Sequence, residues 1–117
     1  MSQDFNAEQV SLQMADLLES FENHPLMQPP DTNPTLFFLF DFIRNTHKQL
    51  KSIDPSKLRQ GGDADTQSSV AEVIGRNKFA KTLIEDTSGK LALLTGGDPG
   101  RPVDFGEEIR EKARVLA

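Results

Sequence analysis

The sequence predicts a small α+β domain, mainly α, with about four helices and one β-hairpin near residues 82–95. Apolar residues recur at helical spacing in four segments, and a capping residue precedes three of these segments. Two short apolar segments flank a glycine-containing turn, a pattern typical of a hairpin. A winged helix-turn-helix and an all-α bundle are the alternative architectures. The length of 117 residues predicts a single domain over 1–117.

The first helix is expected over residues 7–22. Asn6 is a typical N-cap, and Gln9 follows three residues later as in a capping box. Its apolar stripe consists of Val10, Met14, Leu17, Leu18 and Phe21. Three prolines in residues 23–33 exclude regular helix, so this stretch is expected to be a flexible loop.

The second helix is expected to begin at Pro34, with Asn33 as its cap, and to end near Ile53. Its first half holds four of the eight phenylalanines of the chain, within residues 36–43. A helix with this run is apolar almost all the way round, so it must be covered on several sides. The covering surface can be the core of the same chain or the surface of a partner.

A chain of this length has few other elements to cover so broad an apolar surface. We therefore expect a second copy of the chain, or another protein, to cover part of it, and a two-fold dimer is the commonest arrangement. Aromatic side chains dominate the free energy of such contacts. The expected contact residues are Leu36, Phe37, Phe40, Ile43 and His47.

Polar residues and glycines predict flexible loops over 61–69 and 96–102. Between them, residues 70–84 have helical spacing, which Gly75 is expected to divide. The hairpin follows around the turn at 86–89, and a last helix is expected from Asp104, with Glu107 completing a capping box.

The elements expected over residues 66–95, two helices followed by a hairpin, resemble a winged helix-turn-helix module in their order. Ala71 is small enough for two helices to approach, Gly75 would form the turn, and the hairpin would be the wing. The resemblance implies a transcription regulator that binds DNA through its second helix and wing. The residues that would contact DNA are Arg76, Asn77, Lys78, Lys81 and Lys90.

The charge argues against general binding of polyanions, because the net charge is −5. The first 43 residues contain seven acidic residues and no lysine or arginine, whereas the remainder of the chain has a small positive net charge. The chain has no cysteine and no apolar run long enough to cross a bilayer. We expect a cytoplasmic protein that makes no membrane contact.

The sequence contains two histidines and no recognisable catalytic, phosphate-binding or metal-binding motif. We therefore expect no enzymatic activity, no cofactor and no metal. The expected function is that of a protein-protein interaction module, namely a homodimeric adaptor, regulator or assembly factor. The alternatives are a DNA-binding regulator of the winged-helix type and, third, a small enzyme.

Overall fold

The computed structural model describes residues 7–29, 32–54, 56–57, 64–85 and 105–116. All regular elements within these ranges are helical, and none of these residues is in a strand. The elements are α1 (Ala7–Glu22), a 3-10 turn (Pro25–Met27), α2 (Pro34–Lys51), α3 (Ala64–Glu85) and α4 (Glu107–Arg114).

The start of α2 follows the sequence prediction. The side-chain oxygen of Asn33 accepts hydrogen bonds from the backbone N–H groups of Thr35, at 2.9 Å, and Leu36, at 3.2 Å. Pro34 occupies the first helical position, where the missing N–H has no partner to lose. The preceding stretch contains the 3-10 turn. The N–H of Asn33 donates a hydrogen bond to the carbonyl of Leu26 at 2.6 Å, which fixes the end of this stretch.

The core lies around α2, which packs against α1 on one side and α3 on the other. The short helix α4 closes the bundle by packing against α1 and α3. The largest fully buried side chains come from all four helices and the segment before α4, and include Met14, Leu17, Phe21, Leu36, Leu39, Ile43, Ile84, Phe105 and Ile109.

The predicted α+β class is wrong, because the described residues form a small helical domain. The first segment of the expected hairpin, including Leu83 and Ile84, is the last turn of α3, and both side chains are buried. Ile84 lies four residues after Ala80 and eleven after Val73, so it continues the buried stripe of the helix. The remainder of the expected hairpin, residues 86–95, lies outside the described residues.

The predicted helix-turn-helix is also wrong, because α3 passes through Gly75 without a break. A glycine within a helix costs about 1 kcal/mol relative to alanine, which the buried residues on either side of it offset. The helix begins at Ala64, within the stretch expected to be a loop over 61–69, and Thr66 in its first turn is buried. The expected loop over 96–102 lies outside the described residues.

The beginning of α4 depends on Gly106, whose backbone has a φ of 88° and a ψ of 157°. Residues other than glycine rarely adopt this backbone conformation. Gly106 follows Phe105, whose ring is buried with 1% exposure. The prediction that this helix begins at Asp104 is wrong, because Phe105 and Gly106 are not helical and Glu107 is the first helical residue.

Candidate functional site

The five expected contact residues lie on different sides of α2. Leu36 and Ile43 have no exposed surface, and therefore attach α2 to the core of its own chain. Phe40 is partly buried, with its ring centroid 6.4 Å from that of Phe21 on α1. Phe37 is half exposed, at 50%, and is the member of the set with a large apolar surface open to a partner.

His47 also faces α1. Its Nε2 lies 2.8 Å from the hydroxyl oxygen of Ser11, so the two residues share a hydrogen bond between the helices. Burial lowers the pKa of the imidazole, and the positive charge of Lys51 lowers it further. The neutral ring is therefore part of the packing between α1 and α2.

A cluster of aromatic rings lies on the other side of α2, where α2 meets α3. We call it the aromatic face, formed by Phe37, Phe38, Phe42, Arg76 and Phe79. The ring centroids of Phe38 and Phe42 are 6.3 Å apart, and those of Phe42 and Phe79 are 5.4 Å apart. Phe79 is 43% exposed. Two of the most exposed aromatic rings of the described residues, Phe37 and Phe79, thus belong to one surface.

Arg76 crosses from α3 to α2 within this face. Its guanidinium carbon lies 4.1 Å from the centroid of the Phe42 ring, a cation–π contact. Its Nε donates to the hydroxyl of Thr46 at 2.7 Å, and its Nη2 donates to the carbonyl of Phe42 at 3.3 Å. No carboxylate of the described residues forms an ion pair with it. The positive charge is held in a fixed position, without an ion-pair partner in that part of the chain.

The aromatic face contains a groove of about 380 Å³. Phe37, Phe38, Phe42 and Arg76 line it, together with Asp41 and Asn45. The carboxylate of Asp41 forms an ion pair with Arg44 at 2.6 Å and accepts a hydrogen bond from Asn45 at 3.3 Å. The groove thus combines apolar walls with a few fixed polar groups, as binding sites commonly do.

A second depression, of about 370 Å³, lies between the start of α1 and the end of α2. Leu12, with 72% exposure, lines it together with Leu50 and Ile53. It contains no aromatic ring and no buried charge. Its neighbours in sequence, residues 1–6 and 58–63, lie outside the described residues. The aromatic face is therefore the better-defined candidate site.

Three of the residues expected to contact DNA, Arg76, Asn77 and Lys81, make contacts within the chain. Arg76 is engaged with α2, and Asn77 is buried with 1% exposure. Lys81 donates to the carbonyl of Leu116 at 2.8 Å, which anchors the end of the chain after α4. Lys78 is exposed, and Lys90 lies outside the described residues. These contacts give Arg76, Asn77 and Lys81 roles in packing.

A serine and a lysine approach each other between α1 and α4, an arrangement that can serve nucleophilic catalysis. Lys112 Nζ donates to the hydroxyl of Ser20 at 2.6 Å and to Asp16 Oδ1 at 3.1 Å. The Ser20 hydroxyl donates in turn to Glu108 Oε2 at 2.5 Å, and the same carboxylate oxygen lies 3.5 Å from Lys112 Nζ. The cluster therefore contains one cation and two anions.

The charges of this cluster make Lys112 a poor base. Burial opposes its positive charge, but the hydrogen bonds and charges of Asp16 and Glu108 outweigh that effect and raise its pKa. The hydrogen bond from Ser20 lowers the pKa of Glu108, and the charge of Lys112 lowers it further. Because a protonated lysine cannot accept the serine proton, the cluster acts as a polar link between α1 and α4.

Sequence reasoning missed the contributions of Arg76 and Phe79 to the aromatic face. The signal was available, since Glu72, Gly75, Arg76 and Phe79 have i, i+3, i+4 and i+7 spacing. This spacing forms one stripe only in a continuous helix, whereas a turn at Gly75 would separate its two ends. The contacts of Glu72 with Gln49, and of Arg76 with Thr46, show that the stripe lies beside α2.

No known protein family matches this chain, and no curated protein or solved structure is similar to it at a significant level. Within the described ranges, every helix is too short or too polar to cross a membrane. The same part of the chain contains no group of three or more histidine, aspartate or glutamate side chains arranged to hold a metal ion.

Proposed function

We propose that this chain is a protein-protein interaction module of the adaptor, regulator or assembly-factor type, and that its aromatic face binds a second copy of the chain. The observation that carries the proposal is that two exposed rings belong to the aromatic face: Phe37 lines its groove, and Phe79 packs against Phe42. The module is proposed to act without enzymatic chemistry. A chain without cysteine suits the reducing cytoplasm, which is the compartment we propose.

Energetic reasons support a contact at this surface. Each exposed aromatic ring gains free energy when it is removed from water, at about 25 cal/mol per Å² of apolar surface. Phe79 packs against the partly buried ring of Phe42, so its side chain has less entropy to lose on binding. Fixed aromatic side chains at the centre of an interface are the usual energetic hot spots.

The proposal departs from the sequence expectation in its contact residues. Leu36 and Ile43 have the best helical spacing, but the chain itself buries them. The proposed contact uses Phe37, Phe38 and Phe42, on the side of α2 that faces α3. The helix expected to mediate association is therefore retained, whereas its contacting side is different.

The test compares the oligomeric state of the parent chain with that of Phe37→Ser by sedimentation equilibrium. The parent is expected to dimerise at micromolar concentration. Phe37→Ser is expected to raise the dissociation constant about 30-fold or more, since a central aromatic anchor contributes roughly 2 kcal/mol. Leu12→Ser removes a more exposed apolar side chain from α1, away from the aromatic face, and is the control.

A parent chain that remains monomeric at about 100 μM would overturn homodimerisation. Equal weakening by Phe37→Ser and Leu12→Ser would show that association depends on general surface hydrophobicity. Circular dichroism of both variants checks that the helical content is retained, so that a loss of association reports on the surface.

A further inference from the structure

The groove of the aromatic face contains charges of both signs. Arg76 has no carboxylate partner among the described residues, and Asp41 lines the same groove. The partner of Asp41 is Arg44, one turn along α2, and both side chains of this ion pair are substantially exposed. Exposed ion pairs contribute only about 0–1 kcal/mol, so Asp41 can exchange Arg44 for another cation at small cost.

A surface with one cation and one anion around an apolar centre is complementary to itself. In a two-fold dimer the same surface meets its copy, so that residue i contacts residue j and residue j contacts residue i. We infer that two copies of the chain dock with their aromatic faces together, so that Arg76 of each copy pairs with Asp41 of the partner subunit. This inference rests on the proposed function and specifies the pairing within it.

Gly75 supplies an independent reason for close contact at this surface. It lies on the stripe of α3 that includes Arg76 and Phe79, and a Cβ atom built there would meet nothing within 4 Å. The fold of the single chain therefore does not require glycine at this position. Glycine is nevertheless present, although it costs about 1 kcal/mol in a helix. A bare backbone at this position lets a helix of the second copy approach closely.

The size of the surface suits a dimer. The 18 residues of α2 span about 27 Å, and two packed helices present a width of roughly 20 Å. The whole outer face of the α2–α3 pair, of which the aromatic face is one part, covers roughly 500 Å² in projection, and its ridged surface exposes more than that to solvent. A standard interface takes about 800 Å² of accessible surface from each partner. Joining two such faces would produce a four-helix arrangement of α2 and α3 from both copies.

Other occupants use only part of this chemistry. An acidic peptide would satisfy Arg76 but would bring its carboxylates towards Asp41. A basic peptide would have the opposite difficulty. The second copy satisfies both residues in one arrangement, and it does so twice.

The test is a charge exchange measured by sedimentation equilibrium. Arg76→Asp and Asp41→Arg are each expected to raise the dissociation constant at least tenfold, because each homodimer would contain two pairs of like charge. Mixing the two variants is expected to restore association, because each contact in the mixed dimer again joins opposite charges. The double variant, with both changes in one chain, is expected to dimerise within about threefold of the parent.

The rescue separates the interface from the fold of the single chain. Arg76→Asp also loses the contacts with Thr46 and Phe42, and a folding defect of that kind is not repaired by adding Asp41→Arg. If Arg76→Asp does not fold, Arg76→Gln and Asp41→Asn are measured alone and together. The pairing is supported if the double variant loses less dimerisation free energy than the sum of the losses of the two single variants. It is overturned if the losses are additive.

The outcomes also distinguish this inference from the proposed function. Dimerisation that is abolished by Phe37→Ser but unchanged by either charge variant would retain the aromatic contact and overturn the Arg76–Asp41 pairing. Charge variants that weaken dimerisation without rescue on mixing would also overturn the pairing. A parent chain that does not dimerise would overturn both.

Discussion

Two clusters of the described residues differ in whether their aromatic rings are enclosed and their cation is neutralised. The closed cluster lies where α1 meets α4, and comprises the rings of Phe21 and Phe105 together with the polar group around Lys112. Its rings are T-shaped, with centroids 6.2 Å apart, and are at most 1% exposed. The open cluster contains Phe42, Phe79 and Arg76, where α2 meets α3. Its centroids are 5.4 Å apart, but Phe79 is 43% exposed.

The two cations differ in the same way as the rings. Lys112 contacts the carboxylates of Asp16 and Glu108 as well as the hydroxyl of Ser20. Arg76 contacts neutral oxygens and a ring face, which fix its position without neutralising its charge. The chain can thus provide a cation with countercharges, as it does for Lys112. Under the proposed pairing, Asp41 of the partner subunit supplies the countercharge that Arg76 lacks among the described residues of its own chain.

The largest expected effect is the difference between Phe21→Ala and Phe79→Ala. Phe21 contacts the rings of Phe40 and Phe105, so its removal leaves a cavity and is expected to lower the free energy of unfolding by about 3–5 kcal/mol. Phe79→Ala removes a partly exposed ring and is expected to cost about 1 kcal/mol or less. Urea unfolding followed by circular dichroism, at a protein concentration below the dissociation constant, measures both values.

Association should show the opposite order. Phe79→Ala is expected to weaken dimerisation more than any change to the buried side of the bundle that leaves the fold intact. Losses of similar size in the free energy of unfolding would mean that Phe79 is as important to the single chain as Phe21. The distinction between a closed and an open cluster would then be lost.

A smaller effect is expected for Gly75→Ala, beside the open cluster. The added methyl group meets open space in the single chain, and alanine is the better helix former, so the free energy of unfolding is expected to rise by about 0.5–1 kcal/mol. The same methyl group is expected to weaken dimerisation, because it occupies space that the second copy needs. Chemical unfolding at low concentration and sedimentation equilibrium measure the two effects separately.

A lower stability of the Gly75→Ala monomer would contradict the open space seen around this residue. Stronger dimerisation, or dimerisation equal to that of the parent, would show that Gly75 lies away from the interface. Ala71→Ser changes another exposed position, one turn earlier on α3, and provides a control for altered helix propensity.

Some of this architecture could be predicted from local chemistry. The extent of α1, 7–22, and the capped start of α2 at Asn33 and Pro34 follow from side chains that interact within one turn. The hairpin prediction failed because Leu83 and Ile84 form too short an apolar segment to distinguish a strand from the end of a helix. Contact with the rest of the bundle decides between them, since both side chains are buried there.

The candidate site was harder to predict, because spacing identifies a stripe without identifying what covers it. The stripe of Leu36 and Ile43 is the more regular one, and the chain buries it against its own helices. The exposed stripe became recognisable only when α3 placed Arg76 and Phe79 beside Phe42. Likewise, Ser20 and Lys112 are 92 residues apart in sequence, and no local pattern joins them.

The smallest expected effect concerns the acid side of the stability profile, and it arises from the closed cluster. The hydrogen bond from Ser20 and the charge of Lys112 hold the pKa of Glu108 below its ordinary value of 4.5. As the pH falls, the unfolded chain therefore binds this proton before the folded chain does. The stabilisation by the ionised carboxylate is complete above about pH 4.5 and decreases as the pH falls below it.

Glu108→Gln is therefore expected to be less stable than the parent at pH 7, with a difference that narrows as the pH falls below about 4.5. Glu111→Gln changes the same charge on an exposed residue of α4 and is the matched control. Urea unfolding at a series of pH values supplies the comparison. A constant difference between Glu108→Gln and the parent would show that the carboxylate is not held ionised by Ser20 and Lys112. A pH dependence of folding that survives Glu108→Gln must come from elsewhere in the chain.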